Sequence, residues 1–330
     1  MSDPHVQPAI SVVLPTTSDF GSIAATVRHL RRQSVADRLE LVIVAMARPE
    51  FLADVSACRS LWDVQVVHTD RQSHGHACAA GVRAARASVV AFAEDHCFPE
   101  PGWAEALLAA YTGADVAAVG PIFRNANPAT LVSWCDFVIG YGPWIDPQAA
   151  PDQPFLAGHN SSYRREVLLA LGERLAEALE SETVLHMELR SQGSRLVLEP
   201  RARAAHTNFG RFDVWLPVQY HCGRVFAAER ARRWGWPRRV FYAAASPLIP
   251  CVRFLRALRQ LRRSPERRPA ILRLAPLLAL GLGADGAGQL IGYLAGGGSS
   301  PHYLTGFEFR RLDFVPESDR HLWQGAETGG

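Results

Sequence analysis

Short, wholly apolar runs alternate with amphipathic stretches over the first hundred residues. "ISVVLP" (10–15) is a continuous apolar run stopped by Pro15, the pattern of a strand buried on both faces. In "SIAATVRHLRRQS" the apolar residues Ile23, Val27 and Leu30 recur at helical spacing. "LELVIVAM" (39–46) and "VQVVHT" (64–69) predict a second and a third strand. "HACAAGVRAARA" predicts a helix that leads into a fourth strand, "SVVAFA" (88–93). Strands and helices alternating at this interval predict an α/β fold, a Rossmann-like, mostly parallel sheet covered on both faces.

From about residue 115 the pattern changes. "DVAAVGPIFR" reads as a strand, "PATLVSWCDFV" as a helix and "FLAGHNSSYRR" as an extended stretch. "ESETVLHMELRSQG" (180–193) predicts a helix with Val184, Leu185 and Leu189 on one face and Gly193 as its C-cap. "RLVLEP" and "RAAHTNF" close a first domain, 1–213, and leave a helical extension, 214–330. In the extension, "VRFLRALRQLRR" (252–263) repeats Val252, Leu255, Leu258 and Leu261 every three residues, with arginines between them. That predicts a basic amphipathic helix suited to an anionic membrane surface. The run 274–296 is long enough to span a bilayer, but Asp285, Gln289 and the glycines argue instead for a re-entrant or surface-lying helical pair. Packing on the first domain is the alternative, and no nucleic-acid motif accompanies the charge.

Composition sharpens the division. All 35 basic residues are arginine, a bias that carries no function by itself. Residues 201–273 hold 17 arginines against 3 acids, and the rest of the chain has an acidic excess. The six cysteines form no CxxC pair, and the N-terminus shows no basic-then-apolar leader, so a reducing cytoplasm is expected.

Candidate chemistry sits where the fourth strand ends. "VVAFAEDHCFPEPGW" (89–103) places Glu94, Asp95 and His96 at the carboxyl end of a buried strand, where open α/β sheets bind ligands. Either the acids solvate the turn, or they hold a hard divalent cation completed by phosphate oxygens. His96 suits Mn²⁺ better than Mg²⁺ as a further ligand. The Gly75–His76 turn precedes a helix and either brings backbone amides near phosphates or is a plain loop.

The order of these motifs resembles the family 2 glycosyltransferases, inverting enzymes of GT-A fold, over residues 9–208. "SVVLPTTSDF" is similar to the family's first strand and Pro-Thr turn, which implies nucleotide contacts at Pro15, Thr16 and Thr17. "GHACAAGVRAARASVVAFAEDHCFPEPGW" resembles its helix, its Asp-x-Asp strand and the Pro-rich turn. "GHNSSYRRE" is similar to the acceptor-side segment, which implies His159 and Asn160 as acceptor contacts. "SETVLHMELRSQGSRLVLEPRARAAH" resembles its Glu-Asp helix, Arg-Leu strand and closing histidine. The sequence departs from the family at three points: Glu94-Asp95-His96 replaces Asp-x-Asp, "VIVAMARPE" lacks the usual acids, and Ser181-Glu182 replaces the Glu-Asp pair.

The resemblance implies transfer of a sugar from a nucleotide-sugar donor to an acceptor hydroxyl, in one displacement with inversion. Glu182 is then the general base, with Glu180 as its rival, and Mg²⁺ or Mn²⁺ is held by Glu94, Asp95, His96 and His206. His206 reads equally as an ordinary strand-end histidine. Trp103 is expected in the core, and Trp134 and Trp144 as acceptor platforms. A lipid-linked or saccharide acceptor, envelope glycolipid or polysaccharide synthesis, and a peripheral or partly inserted place on the inner face of the plasma membrane are expected. Transfer to a polyprenyl phosphate and an inactive, nucleotide-sugar-binding homologue are the alternatives.

Overall fold

The computed structural model describes residues 7–54, 56–71, 73–146, 149–180, 182–263, 271–308 and 310–324. Ser181 lies outside the described residues. Two compact units emerge, one from 1–124, 147–205 and 320–330, the other from 125–146 and 206–319. Where the sequence predicts one boundary at 213, the chain therefore crosses between units four times.

Among the described residues eight strands are formed: β1 (Ile10–Thr16), β2 (Leu39–Met46), β3 (Asp63–Thr69), β4 (Val89–Phe92), β5 (Cys97–Pro99), β6 (Val116–Asn125), β7 (Ser162–Arg164) and β8 (Arg195–His206). The first seven helices are α1 (Phe20–Arg31), α2 (His74–Ala84), α3 (Trp103–Ala109), α4 (Leu131–Tyr141), α5 (Arg165–Leu169), α6 (Leu175–Glu180) and α7 (Glu182–Ser191). Then follow α8 (Phe212–Arg230), α9 (Trp236–Ala245), α10 (Ile249–Arg263), α11 (Ile271–Ala295), α12 (Ser300–Glu308) and α13 (His321–Gln324).

The strands form one mixed sheet in the order β3-β2-β1-β4-β7-β6-β8-β5. β1 runs parallel to β2 (Ile10↔Leu39) and to β4 (Ser11↔Val90), and β2 parallel to β3. β7 enters antiparallel between β4 and β6. Every residue of β1, β2 and β4 is buried, as continuous apolar runs require when helices cover both faces. Ile23, Val27 and Leu30 of α1 pack with Val12, Leu14, Leu41 and Ile43, and Trp103 of α3 joins the same core, as expected. The parallel strands end along one edge, at Thr16, Met46, Thr69 and Phe92.

The second unit is helical. α8 and α11 form its main contact, and they approach so closely that a Cβ at Gly223 would collide with the Asp285 carbonyl. One at Gly288 would strike the Tyr220 carbonyl. The glycines of the apolar run are thus a helix–helix contact face. That run is one continuous helix rather than a re-entrant pair, and Leu274, Leu278, Leu282, Asp285, Gln289 and Tyr293 form its buried stripe. Asp285 meets Arg253 of α10 at 2.6 Å and Gln289 at 2.8 Å, so the polar residues face inward. Residues 272–295 satisfy the length and composition of a membrane span, and 44 % of an 18-residue apolar window within them is buried in the protein.

In α10 the expected apolar face divides. Ala257 and Leu261 are buried, whereas Val252 and Leu255 are exposed. Steps of three residues fall about 60° short of a full turn, so a residue nine positions on lies on the opposite side.

The α8–α11 contact generates a stability test. Gly288→Val should lower the melting temperature by several degrees, since overpacking costs about 1–3 kcal/mol or more. Gly283, on the same helix, has open space around its Cα. Gly283→Ala should leave the melting temperature unchanged or raise it slightly, by about the 1 kcal/mol helix preference of alanine. Equal destabilisation of both variants in thermal melts would contradict the packing described.

Candidate active site

The end of β4 is pinned from four elements of the fold. Ala93 N–H donates to the Val13 carbonyl at 2.9 Å and Phe92 N–H to the Ser161 carbonyl at 3.1 Å. Thr26 of α1 donates its hydroxyl to the Glu94 carbonyl at 2.8 Å. Trp323 Nε1 donates to the Asp95 carbonyl at 2.9 Å, and Arg28 holds the Trp323 carbonyl at 2.6 Å. A tryptophan from α13, the last described helix, thus supports this loop, a role that no local sequence pattern signals.

Pinned in this way, Glu94, Asp95 and His96 are all buried, at 6 %, 9 % and 1 % exposure. His96 Nδ1 lies 2.6 Å from Asp95 Oδ1, and its Nε2 lies 3.8 Å from Glu94 Oε2. Glu94 Oε2 and His96 Nε2 face each other as donors that a divalent cation takes, while Asp95 meets the other ring nitrogen and orients the imidazole. Such a cation would be completed by phosphate oxygens and would supply charge stabilisation for a departing diphosphate.

The residues expected on the acceptor side, His159 and Asn160, approach from the turn before β7. Asn160 is buried and donates from Nδ2 to Glu94 Oε2 at 2.6 Å. His159, half-buried, stands between two carboxylates: Nδ1 is 3.6 Å from Glu94 Oε1, and Nε2 is 3.7 Å from Glu182 Oε1. Glu182 opens α7, and its carboxylate lies against Gly158, where any Cβ would overlap it. The structure therefore brings Glu94, His159, Asn160 and Glu182 together.

Glu180 does something else. Its Oε2 accepts from Ser73 Oγ at 2.6 Å and from Gly75 N–H at 2.7 Å, so it caps α2. This corrects the reading of the Gly75 turn as a phosphate cradle. The Gly75 amide is used by an internal carboxylate, which also takes Glu180 out of contention as a base. Of the residues expected to face a nucleotide, Pro15 and Thr16 end β1 and are buried. Thr16 Oγ1 accepts from Ser18 N–H at 3.1 Å and shapes the following turn, and Thr17 lies half-buried beside it.

Behind the site, Tyr163 donates to His186 Nε2 at 2.8 Å. Burial lowers the imidazole's pKa to about 4 and pushes the phenol well up, so both stay neutral. In α7 the buried face is Leu185, His186 and Leu189, while Val184, expected inside, is exposed. His206, the last residue of β8, has Nδ1 2.9 Å from Asn208 Oδ1 and packs its ring on Tyr141 at 4.3 Å. Trp134 is no acceptor platform. It is buried in the second unit, donating to the Pro128 carbonyl at 3.0 Å.

Residues 11–172 match the family model described as Glycosyl transferase family 2. Among solved structures, the mannosyltransferase PcManGT from Pyrobaculum calidifontis, in complex with GDP-Man and Mn²⁺, superposes with a TM-score of 0.53 at 18 % identity. The match covers 90 % of this chain and 88 % of that one. Staphylococcus aureus TarS (residues 1–349) gives 0.45 at 14 % identity, covering 85 % and 89 %. Mycobacterium tuberculosis glucosyl-3-phosphoglycerate synthase, with Mg²⁺ and UDP, gives 0.44 at 17 % identity, covering 68 % and 79 %. No curated protein matches the chain. At such identities the Pyrobaculum likeness speaks for the fold alone, a GT-A architecture, and the family rests on the matched segment. From the strand and motif order, its sheet and the family match, residues 11–172 belong to glycosyltransferase family 2.

Proposed function

We propose that the protein transfers a sugar, with inversion, from a nucleotide-sugar donor to an acceptor hydroxyl, assisted by Mg²⁺ or Mn²⁺. The observation that carries this reading is the chain of contacts from Glu94 through His159 to Glu182 at the carboxyl edge of the parallel strands. It joins a cation-type donor set to the Glu182 carboxylate. The fold is shared with a mannosyltransferase in complex with GDP-Man and Mn²⁺, which agrees with the proposed donor and cation classes.

In this reading Glu94, Asp95 and His96 hold the cation, which lowers the cost of charge on the leaving diphosphate. Glu182 accepts the acceptor's proton as the hydroxyl attacks the anomeric carbon from the opposite face. His159 orients Glu182 and, with Asn160, borders the acceptor. Thr16 and Thr17 at the end of β1 face the nucleotide.

The second unit supports an acceptor presented at a membrane. Trp236, Val240 and Phe241 on α9, Leu248 in the turn before α10, and Val252 and Leu255 on α10 are exposed apolar residues. Arg238, Arg256, Arg259 and Arg262 are exposed on the same two helices. Apolar side chains interleaved with arginine complement the surface of an anionic bilayer. We therefore extend the proposal to peripheral binding at the cytoplasmic leaflet and to a lipid-linked or polysaccharide acceptor in envelope synthesis.

Three outcomes are expected. Asp95→Ala should reduce metal-dependent transfer, screened with a panel of nucleotide sugars, by at least about 10²-fold while the melting temperature holds. Wild-type activity surviving in EDTA would rule the cation out. Glu182→Gln should lower kcat by about 10²–10⁴-fold with donor binding retained. An unchanged rate would favour a phosphate acceptor, which needs no strong base. Finally, the protein should co-sediment with anionic vesicles more than with neutral ones, and Phe241→Ser with Leu248→Ser should weaken that binding. Indifference to both vesicle types at low salt would overturn the membrane assignment.

A further inference from the structure

A second cluster of metal-type donors lies beside the first. His74 at the start of α2, His159 in the turn before β7 and Glu182 at the start of α7 each offer one donor atom within 4.8 Å of the others. All three are half-buried and belong to the sheet-bearing unit. The rings of His74 and His159 lie 4.6 Å apart between centroids and are tilted by 55°.

Two imidazoles and one carboxylate are a different donor set from that of Glu94 and Asp95. They suit Zn²⁺ or Co²⁺, which take three protein ligands and leave a position open, and they do not suit Mg²⁺. Closing the cluster onto such an ion means drawing donors from 4.8 Å to about 3.3 Å apart, within reach of side-chain rotation. The surroundings are those of a supported site. Glu94 Oε1 faces His159 Nδ1 at 3.6 Å while Nε2 faces Glu182 at 3.7 Å, a carboxylate–imidazole arrangement that directs Nε2 at a metal. Cys78 Sγ lies 3.3 Å from His74 Nε2 and orients the other ring.

We propose that His74, His159 and Glu182 form a zinc-class metal site, separate from the strand-end cation, whose occupancy silences the transferase. The inhibitory half rests on Glu182 being the general base: a carboxylate coordinated to Zn²⁺ no longer accepts a proton. The site makes transfer sensitive to free zinc without displacing the nucleotide.

Co²⁺ alone, added to full-length protein without nucleotide, is the spectroscopic probe. One equivalent should give the visible d–d absorption of four- or five-coordination, and Zn²⁺ should displace it. The absorption should persist in Asp95→Ala, which separates it from the strand-end set. His74→Ala should weaken Co²⁺ binding by more than about 100-fold, and His74→Cys, which keeps a donor, should restore it. With Mg²⁺ present, His74→Ala should transfer at the wild-type rate and resist Zn²⁺. No such absorption in the wild type, or undiminished Co²⁺ binding by His74→Ala, would overturn the site. Equal zinc inhibition of wild type and His74→Ala would overturn the regulation. Glu182→Gln that loses Co²⁺ but still transfers would sink the general-base reading and leave the metal site standing.

Discussion

Burying two carboxylates and an imidazole together at the end of a hydrophobic strand is the cost around which the first unit is arranged. A charge removed from water is tolerated only where hydrogen bonds or counter-charges replace the solvent. Here Asn160 donates to Glu94, His96 meets Asp95, and His159 reaches both Glu94 and Glu182. The backbone beneath is held as firmly, by Thr26 on one side and Trp323 on the other. Negative charge gathered in so little water makes this edge of the sheet attractive to positive charge.

The second unit meets a related constraint with different means. Its longest helix is apolar on nearly every side, and it is kept close to α8 by glycines that let the two backbones touch. Polar residues in that helix are satisfied internally, Asp285 by Arg253 and Gln289. On α4, Asp136 accepts from Phe209 N–H and Gln219 Nε2. Burial raises its pKa to about 6, against the opposing influence of Arg311. On α9 and α10 the unit leaves aromatic, aliphatic and arginine side chains exposed.

The core strands, the first helices and the position of Glu94, Asp95 and His96 were legible from local pattern alone. A strand buried on both faces must be a continuous apolar run, and a ligand edge must follow where such runs stop. Residue type at those stops was enough to nominate the cation ligands, and motif order was enough to nominate Glu182. Tertiary structure set two neighbouring glutamates apart: Glu180 meets the amide of Gly75, 105 residues away, and Glu182 stands 3.7 Å from His159. It decided that the glycines of α11 were a contact face, because a close approach depends on the partner helix. It also brought in His74 and Trp323, whose neighbours lie 85 and 228 residues along the chain. Periodicity reports which side of an element is apolar. Hydrogen bonds and donor clusters between distant residues depend on where the chain returns, and that is set only by the packed fold.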